Sequence, residues 1–240
     1  MKILLAAGCS HVAGAEIDGT EDSEYNRQNS FSGVLAKKLD RKLINIASHG
    51  SSNPTIARMV LEWFSQNYTP DMDVFVVVGW AESIRMEIPW PLNIGYAFNS
   101  RHWRGDTEKT FLRVNLGWPG GTDYEKEIVP DYQKFMVNNE LYLELLTANL
   151  VLQLQYFFKS KNVDYVMCNM QHVFGDDKHL DFYLSQVDTS KYYHMRDTSK
   201  DFYWHYRNLG YENPKAQYWH HNEVPHQLYA DELYNFIKGT

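Results

Sequence analysis

Gly8-Cys9-Ser10-His11 is the stretch of this chain best placed to do chemistry. It follows the apolar run Ile3-Leu4-Leu5-Ala6-Ala7, which has the composition of a buried parallel strand. A serine just past such a strand lies on the carboxyl edge of an open α/β sheet, where these folds hold their ligands. The chemistry suggested is acyl transfer, with Ser10 as nucleophile. A serine hydroxyl attacks a carbonyl only when a histidine within hydrogen-bond reach takes its proton, and a third group orients that histidine. Taken alone, a serine after a glycine more often just turns the chain. Histidines and an acid crowd near the other end, at His220, His221, Glu223 and His226, and Glu223-x-x-His226 has acid-x-x-His spacing. A metal reading of that cluster is disfavoured. Adjacent histidines do not readily face one ion, and Pro225 interrupts a helical i, i+4 presentation. No cofactor is expected.

These residues need a scaffold, and the chain punctuates one clearly. Lys2–Ala7 reads as the first strand, and a polar loop runs on to Asn29. Ser30–Leu39 has helical spacing of Phe31, Val34, Leu35 and Leu39, and Leu43–Ile46 reads as a second strand. Pro54 opens a helix to about Gln66, with Asn53 as its expected cap. Val74–Val78 is uninterrupted and β-branched, the signature of a central parallel strand. Residues 89–137 read as a long irregular insertion, more often a functional loop than a linker. Asn138–Lys161 follows as a helix with Leu141, Leu145, Ala148, Leu152 and Tyr156 in register, then a strand at Val163–Cys168 and a helix near Tyr203. A last helix spans His226–Lys238. Alternating strands and helices predict a three-layer α/β/α sandwich with a central parallel sheet, flavodoxin-like in class, as one domain over residues 1–240.

Composition narrows the function. The 240 residues are 44% hydrophobic, enough for one substantial core. A formal charge of -7 and no Lys/Arg run argue against a phosphate-tracking nucleic-acid binder. Cys9 and Cys168 allow neither a disulfide framework nor a thiolate zinc cluster. Leu5-Ala6-Ala7-Gly8-Cys9 imitates a lipid-attachment box, but the apolar run before it is shorter than the roughly 7–15 residues a signal peptide needs. The expectation is a soluble, cytoplasmic protein with no membrane partner. A flavodoxin-like nucleotide binder is a weak reading, because no Gly-rich phosphate cradle follows the first strand.

Four stretches, in order, resemble the blocks of the SGNH, or GDSL-like, hydrolases. Gly8-Cys9-Ser10 matches the Gly-x-Ser of the first block. Asn45-Ile46-Ala47-Ser48-His49-Gly50-Ser51-Ser52-Asn53 is similar to the second, with Gly50 as its glycine. Val78-Gly79-Trp80-Ala81-Glu82 stands at the third, and Gln217-Tyr218-Trp219-His220-His221-Asn222, leading into Tyr229-Ala230, stands at the last, with His220 in the histidine position. The wording around Gly-Cys-Ser-His and Gly-Ser-Ser-Asn most resembles the branch found in bacteriophage genomes.

The resemblance implies cleavage of an acyl ester, such as an O-acetyl group on a carbohydrate. Ser10 would be nucleophile and His220 base, with the Ser10 and Gly50 amides as oxyanion donors. Two positions depart from the family pattern: Ala81 stands where a third donor, asparagine, is expected, and Gln217 where the histidine's aspartate is expected. Another carboxylate, such as Glu82 or Glu223, would then have to reach the histidine, or His226 with Glu223 would replace it, or a Ser-His dyad would act alone. His11, His49, Trp80, Glu82 and Trp90 are candidate substrate contacts, and Trp103 and Trp118 extend the aromatic set. The bland alternatives are a polar rim for the histidines, core packing for the tryptophans and an ordinary ion-paired surface for Glu82 and Arg85. The competing function is a catalytically degenerate module that binds glycan or serves in a phage particle.

Overall fold

Why the first strand is so apolar is plain in the computed structural model, which describes residues 1–89, 111–116, 123–211 and 213–239. β1 (Lys2–Gly8) has neighbours on both edges and both faces, and Ile3 to Ala7 are all at most 1% exposed. α1 (Ser10–Ala13) is a single turn, ended by Gly14 in the left-handed conformation at φ 76. α2 (Glu24–Asn29) and α3 (Phe31–Lys38) each start at a serine, Ser23 and Ser30, whose hydroxyl accepts from the backbone N–H of Asn26 and Gly33. β2 (Lys42–Asn45) leads to α4 (Asn53–Asn67). Its cap is Ser52, which accepts from Thr55 N–H, and not the expected Asn53. β3 (Asp73–Trp80) is the central strand. β4 (Met86–Pro89) and β5 (Phe111–Val114) form an antiparallel pair.

α5 (Asp123–Asn138) and the long α6 (Glu140–Lys161) precede β6 (Asp164–Asn169). The short α7 (Asp181–Leu184), the two-residue β7 (Tyr192–Tyr193), α8 (Phe202–Asn208) and α9 (Glu223–Gly239) complete the chain. The main sheet runs β2-β1-β3-β6-β7, with every pair parallel. Strand order reverses between β1 and β3. α3 packs with α9, and α4 with α6; the right-handed rule for parallel crossovers puts these two pairs on opposite faces of the sheet. The α/β/α sandwich expected from the sequence is the observed architecture.

Several elements differ from expectation. The polar loop before Asn29 contains α2, whose Asn26 is fully buried. The insertion is not irregular throughout: β5 and α5 fall inside it. Val114, Val129 and Met136 pack with Leu143 of α6 as a small second core. On α6 the buried face is Leu143, Thr147, Ala148, Val151, Leu154 and Phe158, while Tyr156 is 53% exposed. Periodicity points to a different face because α6 is apolar nearly all round, with Leu141, Leu145 and Leu152 packed half-buried at the margins. Among the described residues, no helix is long and apolar enough to cross a membrane.

Candidate active site

Two glycines decide where Ser10 sits. Gly8 and Gly79 are register partners at the carboxyl ends of β1 and β3, where the strand order reverses. Val12 of α1 lies directly over both: a Cβ built on Gly8 would stand 2.2 Å from Val12 Cγ2, and one on Gly79 2.4 Å. Bare backbone there lets α1 settle onto the sheet edge, in the crevice where open parallel sheets bind ligands. Ser10 is the first residue of that turn, and amides at a helix start have no intrahelical acceptor. Cys9, just before it, is wholly buried, and burial pushes its thiol up.

Beyond Gly14 the chain folds into a tight polar loop. Asp18 accepts from the Thr20 amide, the Thr20 hydroxyl and the Ser23 hydroxyl, while the buried Asn26 side chain binds Asp18 N–H and Thr20 C=O. This loop holds Glu16 at φ 63, a backbone that non-glycine residues adopt at a cost of about 1–3 kcal/mol. The Glu16 carboxylate points inward. Oε1 accepts from Gln217 N–H at 2.7 Å, Oε2 accepts from Tyr218 N–H at 3.0 Å, and Oε2 lies 2.6 Å from His220 Nδ1. Both side chains are sheltered, at 4% and 11% exposure. Trp219, between the two contacts, is also left-handed, at φ 71.

The electrostatics suit a histidine base. Burial alone would raise the Glu16 carboxyl, but hydrogen bonds from His220, Tyr218 and Gln217 overcome this and hold it below its ordinary value. For His220, burial is the largest influence and lowers the imidazole. Glu16 opposes that by hydrogen bond and charge, and the Arg85 cation reinforces it. The imidazole therefore rests neutral near pH 7. With Nδ1–H donated to Glu16, Nε2 is the basic nitrogen. His11, the residue after Ser10, packs edge-on to the His220 ring at 5.1 Å. It is 5% exposed, and burial drives it well below its ordinary value. Its Nδ1 makes no hydrogen bond among the described residues.

The second block comes close to the same edge. Ser48 N–H donates to Gly8 C=O, and the turn behind it sets Gly50 at φ 68, half-buried. His49, beside it, lies 3.4 Å from Glu21. Asn53 serves as a structural tie between α4 and the third block. Its side chain donates to Ala81 C=O at 3.0 Å and accepts from Ala81 N–H at 2.8 Å. Arg85, four residues on, pairs with Glu82 at 3.4 Å and donates to Gln171 Oε1 at 2.6 Å.

Other candidate residues sit elsewhere. Trp80 is 0% exposed as the last residue of β3, so it is a core side chain with no face for substrate. The Glu223–His226 alternative is not assembled as a pair: Glu223 accepts from the Tyr25 hydroxyl, and His226 Nδ1 accepts from Phe31 N–H at 3.1 Å. His226, 1% exposed and stacked on Phe31, caps α3. Gln217 offers its backbone amide to Glu16, and the histidine's acid comes instead from the other end of the chain. His221 ties the loop to α8, with ring nitrogens 2.7 Å from Tyr211 C=O and 3.0 Å from Tyr203 C=O. Trp90, Trp103 and Trp118 lie outside the described residues. Glu16 itself carries no spacing signal in the sequence. Only its place in the loop after Ser10 could draw attention to it.

No family model and no curated protein matches the sequence. Solved structures similar to the chain include the psychrotrophic esterase EstA from Pseudoalteromonas sp., inhibited by monoethylphosphonate, at 12% identity and TM-score 0.48, covering 100% of this chain and 98% of that one. Another is a carbohydrate esterase described as displaying divergent catalytic and non-catalytic binding functions, at 11% identity and TM-score 0.45. The match covers all of this chain but 65% of that one. The acetyl xylan esterase Est2A from Butyrivibrio proteoclasticus matches at 12% identity and TM-score 0.42, over 99% of this chain and 63% of that one.

Proposed function

We propose that the protein is a serine hydrolase of the SGNH type that cleaves acyl esters, carbohydrate O-acetyl esters among them. The observation that carries this reading is the buried 2.6 Å contact between His220 Nδ1 and Glu16 Oε2, with the His220 ring 5.1 Å from that of His11 in the serine-bearing turn. In this reading His220 Nε2 takes the proton of Ser10 Oγ as that oxygen bonds to the ester carbonyl carbon. The developing oxyanion meets the Ser10 and Gly50 amides, donors of a kind each worth about 3 kcal/mol. Collapse breaks the bond to the alcohol, which leaves with the proton held on His220. Water, activated by the same imidazole, then hydrolyses the acyl-serine. Glu16 keeps Nδ1 protonated and offsets the imidazolium charge, the part an acid plays in such triads. His11, packed on His220, His49, beside Gly50, and Glu82, paired with Arg85, are the substrate contacts this reading keeps.

The test is chemical. A fluorophosphonate probe should label the pure protein at Ser10, and Ser10→Ala and His220→Ala should each abolish p-nitrophenyl acetate hydrolysis. Hydrolysis that survives Ser10→Ala would sink the mechanism. A non-catalytic glycan-binding module of a phage particle is the second reading, favoured by Ala81, which brings no side-chain donor to the third block. No labelling, together with saturable glycan binding, would establish that reading instead.

A further inference from the structure

Against His220, helix α8, Tyr211 and loop residues 213–221 line a cavity of about 390 Å³. That lies within the ~300–1,000 Å³ range of small-molecule sites. Its chemistry is uneven. Arg207 and Tyr203 come from α8, and Trp219, Gln217 and His220 from the loop. The Arg207 guanidinium stands 4.5 Å from the centroid of the Trp219 ring, 5.6 Å from Tyr203 and 5.7 Å from Trp204. It donates a hydrogen bond to the Tyr203 hydroxyl.

The other arginines with described side chains are Arg27, Arg41, Arg58, Arg85 and Arg196, and each is paired with an aspartate or glutamate. Among the described residues Arg207 has no carboxylate partner, in a protein whose net charge is -7. Trp219 is anomalous in a second way. It holds a left-handed backbone at φ 71 while the residue remains 66% exposed. Hydrophobic burial does not explain a strained tryptophan turned to water.

A planar guanidinium matches a carboxylate bidentately. An exposed indole offers a flat apolar face on which the C–H face of a sugar ring can lie. We propose that this cavity binds an acidic sugar, its carboxylate on Arg207 and its ring on Trp219, so that the ester substrate is an O-acylated uronic acid residue. The inference rests on the esterase reading for the word ester, since His220 lines the same cavity. The sugar-acid site itself stands on Arg207 and Trp219. A single arginine among the described lining residues, backed by aromatic rings, suits one monoanion on a ring better than a phosphate, which usually gathers several cations.

The experiment uses ligands without an ester, so it reads binding alone. Affinities of methyl glucuronide, methyl glucoside and inorganic sulfate for the full chain are measured by calorimetry or saturation-transfer NMR. The glucuronide should bind at least tenfold more tightly than the glucoside. Arg207→Gln should erase that margin, and Trp219→Ala, at an exposed position, should weaken both sugars. If Arg207→Gln fails to fold, Arg207→Lys, which keeps the charge but loses the fork, should lose most of the margin. Equal affinity for the two sugars, no sugar binding at all, a margin that survives both arginine variants, or sulfate bound as tightly as glucuronide would each overturn the assignment. The two readings fail separately: glucuronide binding with an inert Ser10 removes the esterase, and a labelled Ser10 with no glucuronide binding removes this site.

Discussion

Glu16 carries more of the proposed chemistry than its neighbours in sequence suggest. Its carboxylate accepts two backbone N–H groups and faces one imidazole, so nothing about its orientation is left free. Replacing the acid by an amide keeps the shape and removes the charge that stabilises the imidazolium. The equivalent change in serine proteases lowers turnover by ~10⁴. Glu16→Gln should therefore reduce kcat by about 10²–10⁴, with the lower end expected where burial already keeps the imidazole neutral. The pH profile gives a second readout. His220 must be unprotonated to act, and its folded value lies below the ordinary histidine value. Activity should thus persist at about pH 6.5, the ordinary histidine value, and fall on a more acid limb. Glu16 raises the imidazole, so Glu16→Gln should move that limb further down. A profile of kcat/KM against pH checks both, and an acid limb above about pH 6.5 would contradict the assignment.

At the scale of elements, the serine is positioned by packing rather than by its own bonds. Val12 meets bare backbone at Gly8 and Gly79, and any side chain there lifts α1 from the sheet. Gly79→Ala should cost about 1–3 kcal/mol by overpacking, read by urea denaturation, and should lower kcat as Ser10 shifts. An unchanged midpoint would refute that role. The strongly patterned elements are legible in the sequence. β1 and β3 are uninterrupted apolar runs, and α4 and α6 have length. Weak elements escape for physical reasons. β7 has two residues and exists through pairing with β6, α2 is polar on most sides, and α5 carries Pro130 in its interior. Ser10 and His220 can be singled out because each lies in a recognisable local stretch. Glu16 cannot, because its role arises from a contact with a residue 204 positions away, and no local pattern encodes that.

Across the whole molecule, a charge problem lies near the carboxyl end of β6. Asp201 starts α8, is 0% exposed, and has no well-formed hydrogen bond to either carboxylate oxygen. Burial pushes its carboxyl up to about 7, partly offset by the Asn169 side chain. A folded value above the unfolded one means the native state holds the proton more tightly. Stability is then complete below about pH 4 as far as this group is concerned, and falls as pH rises toward 7. The roughly three-unit difference corresponds to about 4 kcal/mol lost above pH 7. Asp201→Asn should be several degrees more stable than the parent at about pH 8 and should show less decline between about pH 5 and 8. Parallel Tm curves for the two proteins would refute it. The Glu16–His220 contact has a further consequence, in time rather than space. An acid three residues before its histidine would be made along with it. Here the acid leaves the ribosome some two hundred residues before its partner, so in the proposed reading a nascent chain carries Glu16 without its imidazole until the last turn of synthesis. Hydrolytic competence would switch on only when the final loop docks, making activity itself a reporter of completed folding.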